Sequence, residues 1–132
     1  MTRSEITDHY NRKVRLIEDM AVLEKMRTYL EESKRKLSSD PQGEILIEAM
    51  NKEIQDMESN IRKRSDEVAS NADKVRAALK VIPDRTNRIA ASLHYCNGLS
   101  WAEVGAILHC PDGTIRSKVS RAMRSAGISW EK

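Results

Sequence analysis

Apolar residues recur every seven positions through most of the first 82 residues. We call each series of residues with this spacing a column. One column consists of β-branched residues, and an earlier column consists of leucines. The columns are Ile47, Ile54, Ile61, Val68, Val75 and Ile82, preceded by Leu16, Leu23, Leu30 and Leu37. A seven-residue period places side chains in a stripe along a helix, and β-branched residues in such a stripe are typical of coiled coils. The pattern therefore predicts two long helices that pack through these columns.

Polar and turn-forming residues at positions 38–43 separate the two columns. Asp40 can cap a helix and Pro41 can open one, because proline is tolerated in the first turn. We therefore expect helices from about Ser4 to Leu37 and from Pro41 to Lys80. Because so short a connection favours antiparallel neighbours, these helices should form a long helical hairpin.

Further apolar residues widen the stripe on each predicted helix. They are Ile6, Tyr10, Val14 and Ile17 on the first helix, and Leu46, Ala69, Ala72 and Leu79 on the second. Wide stripes predict an additional partner surface, so we expect the hairpins to pair into a homodimeric bundle. We assign the columns from Leu16 to Val75 to this oligomerisation.

A companion column on the second helix, three residues after the β-branched one, begins with Met50 and Met57 and is then interrupted by the polar residues Arg64 and Asn71. If Leu37 lies opposite Ile47, then Asp19 lies opposite Arg64. Such a pair can fix the register of two helices at some expense of stability. Alternatively, both side chains extend into water, as long charged side chains often do.

The last third of the chain has a different pattern, with short helices and defined ends. Gly98 can end one helix, and Ser100 with Glu103 forms a capping box, so a new helix should begin at Trp101. We expect Trp101 to pack against the neighbouring helix. The predicted buried face of the new helix consists of Val104, Ile107 and Leu108.

A tight turn, His109 to Asp112, leads into the next predicted helix, with Pro111 at or near its start. Four residues of that helix share a core-facing side: Ile115, Val119, Ala122 and Met123. Thr114, Ser117, Arg121 and Arg124 lie on the opposite side, with Arg116 and Lys118 at its flanks. Two short helices joined in this way form a helix-turn-helix, whose second helix enters the DNA major groove.

The basic residues on this second helix suit nucleic acid. Arginine and lysine neutralise phosphates, and arginine also binds guanine through two parallel hydrogen bonds. Charges on a surface helix are often merely solvated. The capping box and tight turn that precede these residues indicate a helix-turn-helix, and this context favours DNA binding over simple solvation.

Net charge supports a polyanionic partner for the last 50 residues. Residues 1–82 contain 16 basic and 16 acidic side chains, whereas residues 83–132 contain 7 and 4, so the net charge of +3 belongs to the second part. A locally basic module fits double-stranded DNA.

Other functions have little support in the sequence. It contains no nucleophile elbow, phosphate-binding glycine loop or zinc-ligand spacing, so we expect no enzyme activity, metal, cofactor or small-molecule substrate. Cys96 and Cys110 are expected to be reduced thiols. No apolar run approaches the length of a membrane span and Met1 is not followed by a secretory leader, which indicates a cytoplasmic protein without membrane association.

Three segments, Ile82 to Arg85, Leu93 to Val104 and Cys110 to Val119, resemble region 4 of bacterial sigma factors, most closely the extracytoplasmic-function type. The resemblance implies a recognition helix from about Asp112 to Ser125 that inserts into the major groove of a promoter-like element. By position, Asp112, Gly113 and Ser117 match residues that face bases. The basic residues of the helix would contact base edges or phosphates: Arg116, Lys118, Arg121 and Arg124.

The upstream part of the chain does not resemble the aromatic-rich sigma domain that melts promoter DNA, since the sequence has no Phe and few other aromatic residues. A complete sigma factor is therefore not expected. A charged helical segment before a region 4-like module resembles the ArpU and RinA type of phage and prophage transcription regulators. From the residue patterns we expect a helical region at 1–82, a DNA-binding domain at 83–127 and a tail at 128–132.

We therefore expect an all-α protein in which an antiparallel helical hairpin precedes a helix-turn-helix domain, acting as a sequence-specific transcriptional regulator whose hairpin either sets the oligomeric state or contacts RNA polymerase. Two alternatives remain open. One is a phage DNA-packaging protein of the small-terminase kind. The other is a coiled-coil adaptor whose helix-turn-helix binds protein.

Overall fold

The computed structural model describes residues 1–37 and 39–130. Over these residues the chain forms five α-helices and no strand, which confirms the predicted all-α class. The helices are α1 (Arg3–Leu37), α2 (Pro41–Leu79), α3 (Arg85–Tyr95), α4 (Trp101–Leu108) and α5 (Asp112–Ser125). Within the described ranges, no helix has a stretch apolar enough to cross a membrane.

The two long helices begin and end within one residue of the predicted positions. Pro41 opens α2, and the Asp40 carboxylate accepts a hydrogen bond from the backbone N–H of Gln42 at 3.0 Å. The predicted capping role of Asp40 is therefore confirmed. Of the predicted connection, Ser38 lies outside the described residues.

The chain divides into two compact units, and both long helices contribute to each. We call Leu16–Asp66 the hairpin unit, and Met1–Arg15 together with the chain from Glu67 onward the core unit. This division differs from the predicted segments 1–82, 83–127 and 128–132, each of which is continuous in the sequence. The reason is that the first turns of α1 and the last turns of α2 share a core with the three short helices.

In the hairpin unit, α1 and α2 run antiparallel. Leu23 and Leu30 pack with Ile54 in a buried cluster, flanked by partly buried apolar residues: Met26, Ile47, Met50, Met57 and Ile61. Asp19 and Arg64 form an ion pair, as the predicted register requires. A second ion pair joins Arg27 to Glu58, with 3.6 Å between nitrogen and oxygen.

The core unit is built around thirteen buried residues from all five helices and their connections. They are Ile6, Val75, Leu79, Ile82, Ala90, Ala91, Tyr95, Cys96, Val104, Ile115, Val119, Met123 and Ile128. Ile6 and Leu79 belong to the stripes that predicted a dimer, but here they pack inside the chain. Wide stripes at this end of α1 and α2 are therefore explained by contact with the short helices, whereas Ile17 and Leu46 are exposed.

The residues assigned to oligomerisation largely pack within a single chain. Six are buried, namely Leu16, Leu23, Leu30, Ile54, Val68 and Val75. Leu37, Ile47 and Ile61 are half-buried. Burial of this kind leaves little of these side chains for a partner, and their role in oligomerisation stays a prediction.

Candidate nucleic-acid interface

The start of α4 has the predicted capping box. The backbone N–H of Glu103 donates to the Ser100 hydroxyl, and the backbone N–H of Ser100 donates to the Glu103 carboxylate, both at 3.1 Å. Before it, Gly98 has φ 75°, a left-handed conformation that favours glycine. These contacts fix where α3 ends and α4 begins, and so position the first helix of the helix-turn-helix.

The turn between α4 and α5 depends on a close backbone approach at Gly105. The backbone N–H of Cys110 donates to the Gly105 carbonyl at 2.8 Å. A Cβ added at Gly105 would lie 2.5 Å from the Cys110 carbonyl oxygen and 3.2 Å from the Asp112 nitrogen. His109 occupies the turn with φ 54°, and Pro111 precedes the first residue of α5. The turn is therefore as tight as predicted, but the sequence pattern did not single out Gly105.

The inner face of α5 is the predicted one. Ile115, Val119 and Met123 are buried, and Ala122 is half-buried against the same core. On α4, Val104 is buried and Leu108 half-buried, but the predicted burial of Ile107 is wrong, because 54% of its surface is exposed. In this eight-residue helix Trp101, Gly105 and Leu108 share the Val104 side, and at about 100° per residue Ile107 falls outside that arc.

Every residue predicted to bind DNA lies on the outer face of α5, at its flanks or at its N-terminal end. All eight are exposed: Asp112, Gly113, Thr114, Arg116, Ser117, Lys118, Arg121 and Arg124. A Cβ added at Gly113 would meet nothing within 4 Å, so the backbone there is open to a ligand. The exposure and spacing of these residues suit a helix that enters a groove.

The four basic side chains of this face have no acidic partner within ion-pair distance among the described residues. They are Arg116, Lys118, Arg121 and Arg124. On the long helices, by contrast, three arginines pair with a carboxylate: Arg27, Arg64 and Arg76. Cations without internal partners are available to neutralise phosphates.

A cleft lies on each flank of α5. The first, of about 620 Å³, is lined by Lys118 and Arg121 together with polar residues at the start of α3. The second, of about 520 Å³, is lined by Arg116, Arg121 and Arg124 and also by Arg3 and Trp130. Sequence reasoning missed the last two residues. No spacing signal could have revealed them, because Arg3 and its α5 partner Ser120 lie 117 positions apart.

A stack of three aromatic rings, those of Tyr10, His94 and Trp101, joins α1, α3 and α4. The His94 ring lies between Tyr10 at 4.0 Å and Trp101 at 3.9 Å, measured between ring centroids. Its Nδ1 lies 2.6 Å from the Leu99 carbonyl oxygen. The predicted packing of Trp101 against a neighbouring helix is therefore confirmed, since His94 belongs to α3.

The His94 imidazole is neutral at physiological pH. Burial lowers its pKa from 6.5 to about 4; the hydrogen bond to Leu99 raises it, and the nearby positive charge of Arg116 lowers it further. With Nδ1 carrying the proton, the ring donates to the Leu99 carbonyl. A neutral ring can stack between two aromatic side chains without placing a charge in the core.

Cys96 and Cys110 are free thiols, the first buried and the second half-buried. Burial raises the pKa of the Cys96 thiol. Over residues 1–37 and 39–130, no group of three or more His, Cys, Asp or Glu side chains could hold a metal ion.

The fold and the exposed basic helix define a helix-turn-helix domain of the DNA-binding class. Comparison with protein families finds a sigma-70 region 4 domain at residues 75–125, which is less than half of the chain. The match begins inside α2, where Val75 and Leu79 enter the same core as the short helices. A search of curated proteins and a search of solved structures returned no match.

Proposed function

We propose that this protein is a sequence-specific transcriptional regulator without enzyme activity, which inserts α5 into the major groove of a promoter-like site. The observation that carries the proposal is the exposed surface of α5, where eight exposed residues include four cations that have no acidic partner among residues 1–37 and 39–130. The sigma-70 region 4 domain at residues 75–125 supports DNA as the partner, because domains of this family bind DNA and RNA polymerase.

The positions of the side chains on α5 suggest their roles. Ser117 and Arg121 lie near the centre of the outer face, where they would contact base edges. Arg116 and Lys118 lie at its two flanks, where the phosphates on either side of the groove would be nearest. At Gly113 the absence of a side chain would allow close approach to the groove.

The finer assignment follows the arrangement of the chain. A long helical region rich in both charge signs leads into a region 4 domain, as in the ArpU and RinA type of phage regulators, and we propose a role of that type. Within the region 4 families, we propose the extracytoplasmic-function type, which the segments 82–85, 93–104 and 110–119 resemble most closely. RNA polymerase is the proposed protein partner.

We propose a homodimer formed through the hairpin unit. Its exposed apolar side chains include Val22 and Tyr29, which are 46% and 60% exposed. They line a groove of about 330 Å³ together with Met26 and Met50, and a second copy of this helix pair could cover it. Burial of such side chains would stabilise association by the hydrophobic effect.

Sedimentation equilibrium at micromolar concentration tests the dimer. Val22→Lys should shift the protein towards monomer, whereas Gln55→Lys adds the same charge at an exposed polar position and should not. A folded wild-type monomer would contradict the dimer. A ring of many subunits would instead favour the small-terminase function.

Fluorescence anisotropy with promoter fragments from the same genome tests DNA binding. Affinity should fall steeply as salt rises, because each phosphate contact releases counterions. Arg121→Ala should weaken binding or relax the preference at one base pair, whereas Arg62→Ala, at an exposed position of α2, serves as a control. Failure of the folded wild-type protein to bind any fragment at low salt would overturn the proposal and favour the adaptor function.

A further inference from the structure

We propose that Arg3, at the start of α1, forms a DNA-phosphate-binding site together with Arg116 and Arg124 of α5. This inference rests on the proposed DNA-binding function and extends it to a residue outside the helix-turn-helix. The ligand would be a phosphate of the strand that borders this flank of the recognition helix.

Arg3 is held against α5 by its own side chain. Its Nη1 donates a hydrogen bond to the Ser120 hydroxyl at 2.7 Å. Its guanidinium carbon lies over the Trp130 ring, 4.6 Å from the ring centroid. A cation in this position is attracted by the face of the indole. The guanidinium is therefore fixed between α5 and the segment that follows it.

The backbone around Arg3 strengthens this placement. The backbone N–H of Arg3 donates to the Ser129 carbonyl at 2.7 Å, and the Ser4 hydroxyl donates to the Trp130 carbonyl at 2.8 Å. Ile128, just before this contact, is buried in the core. The segment 128–130, which the sequence predicted only as a tail, thus fixes the start of α1 beside the recognition helix.

The hydrogen bond to Ser120 places the Arg3 guanidinium close to two arginines of α5. Residues four apart on a helix are neighbours on its surface, so Arg116 and Arg124 lie one turn on either side of Ser120. All three arginines line the cleft of about 520 Å³, and among the described residues its lining includes no carboxylate side chain; the other described lining residues are Ser117, Ser120, Arg121 and Trp130. Arg3 therefore adds a fourth positive charge to the three that α5 already presents there.

Such a cluster costs folding stability unless an anion binds to it. Like charges that share a cleft repel one another, and the described residues supply no ion-pair partner for these arginines. The buried Nε of Arg3 also has no hydrogen-bond partner among the described residues, and an unsatisfied buried donor is unfavourable. A cluster that lowers folding stability when no ligand is bound is what we expect of an anion-binding site.

Phosphate is the anion that matches this geometry. Guanidinium groups bind phosphate oxygens through paired hydrogen bonds, and Ser120 occupies only one of the five N–H donors of Arg3. When a recognition helix lies in the major groove, its flanks face the sugar-phosphate backbones rather than the base edges. Arg3 should therefore strengthen binding to all sequences alike.

The salt dependence of binding to a mixed-sequence duplex tests the site, with the full chain measured by fluorescence anisotropy. Arg3→Ala should weaken binding roughly three- to tenfold and reduce the slope of log K against log salt by about 1, the loss expected for one phosphate contact. Arg3→Lys keeps the charge and should retain most of the slope. Arg62→Ala is the matched control, and circular dichroism melting reports whether each variant is folded.

Trp130→Leu tests the placement of the guanidinium. Loss of the indole should reduce the salt slope by less than Arg3→Ala does, and combining both substitutions should add little, because the tryptophan acts through Arg3. An additive effect of the two substitutions would overturn the positioning role of Trp130.

The outcomes separate this inference from the proposed function. If wild-type protein binds DNA and Arg121→Ala weakens it, but folded Arg3→Ala keeps the full salt slope, the Arg3 site is wrong and the DNA-binding function stands. If Arg3→Lys loses as much slope as Arg3→Ala, the contact is not one of charge and the site is also wrong. If wild-type protein binds no duplex at low salt, both are overturned.

Discussion

The core unit and the hairpin unit are stabilised in different ways. The core unit packs thirteen buried residues from five helices around one centre, whereas the main buried cluster of the hairpin unit has Leu23, Leu30 and Ile54. A helix that has a single neighbour can bury only one stripe, while a helix in the core unit meets several neighbours. Packing free energy should therefore be concentrated around the helix-turn-helix.

The two units also use their charges differently. In the hairpin unit, Arg27 and Arg64 are paired with carboxylates on the opposite helix. On α5 the described structure provides no such pairs. Two arginines of the hairpin unit are thus paired across the helices, whereas the cations on α5 are left for an external partner.

The largest expected effect concerns the two cores. Ile115→Ala in the core unit should lower the free energy of unfolding by about 4 kcal/mol, and Ile54→Ala in the hairpin unit by about 2 kcal/mol, within the range known for buried isoleucine. Ile115 is 1% exposed and Ile54 is 5% exposed. Ile54, however, is covered by flexible methionines that can move into the space left when its side chain is shortened. Urea denaturation measures both. Equal losses would contradict the comparison.

Acid should weaken the core unit through His94. The pKa of His94 is about 4 in the folded protein, whereas a histidine in the unfolded chain has the ordinary pKa of 6.5. Between these two pH values the unfolded chain therefore binds a proton more readily than the folded protein does. Stability is fully present above pH 6.5 and is lost as pH falls through this window, by at most about 3 kcal/mol from this group. Denaturant titrations from pH 7 to pH 4 measure the loss.

His94→Gln provides the control for this pH dependence. The variant should be less stable at pH 7 because the stack with Tyr10 and Trp101 is lost, but its stability should vary less with pH over the same window. If the two proteins lose stability in parallel, His94 is not the group responsible.

A matched pair of glycine substitutions tests the turn of the helix-turn-helix. Gly105→Ala should lower the free energy of unfolding by about 1–3 kcal/mol, because the new methyl group would overlap the Cys110 carbonyl oxygen. Gly113→Ala meets open space and should be neutral or stabilise by up to about 1 kcal/mol through helix propensity. Thermal melting of both variants measures the difference, and a harmless Gly105→Ala would show that the turn can relax.

The smallest effect is expected at the ion pair between Asp19 and Arg64. Both side chains are partly exposed, so a double-mutant cycle with alanine should give a coupling of about 0.2–1 kcal/mol that decreases with salt. A coupling of zero would show that the pair marks the register of the hairpin without stabilising it.

The positions of the helices were largely predictable, because they depend on residues close together in the sequence. The capping box at Ser100 and Glu103 predicted the start of α4, and Asp40 with Pro41 predicted the start of α2. The seven-residue columns predicted the antiparallel register that the pair of Asp19 and Arg64 shows. The exposed face of α5 also followed from helical spacing around Ile115 and Val119.

Burial was less predictable, because it depends on which neighbour covers a helix. The stripe that includes Ile6 predicted a partner chain, but the short helices of the same chain cover it. Ile107 has an apolar side chain in a helix with a buried face, yet it lies outside the arc that the core covers. Periodicity identifies an apolar stripe and does not identify what will cover it.

Local patterns in the sequence are enough to predict the helices, the capping box and turn of the helix-turn-helix, and the basic face of α5, since each follows from contacts within a few turns. The packing of distant segments, by contrast, places Arg3 and Trp130 beside α5, stacks His94 between Tyr10 and Trp101, and covers the stripe of Ile6 with the short helices of the same chain. Residues so far apart along the chain are brought together by the burial of a shared core. That burial depends on the whole arrangement and not on any local pattern.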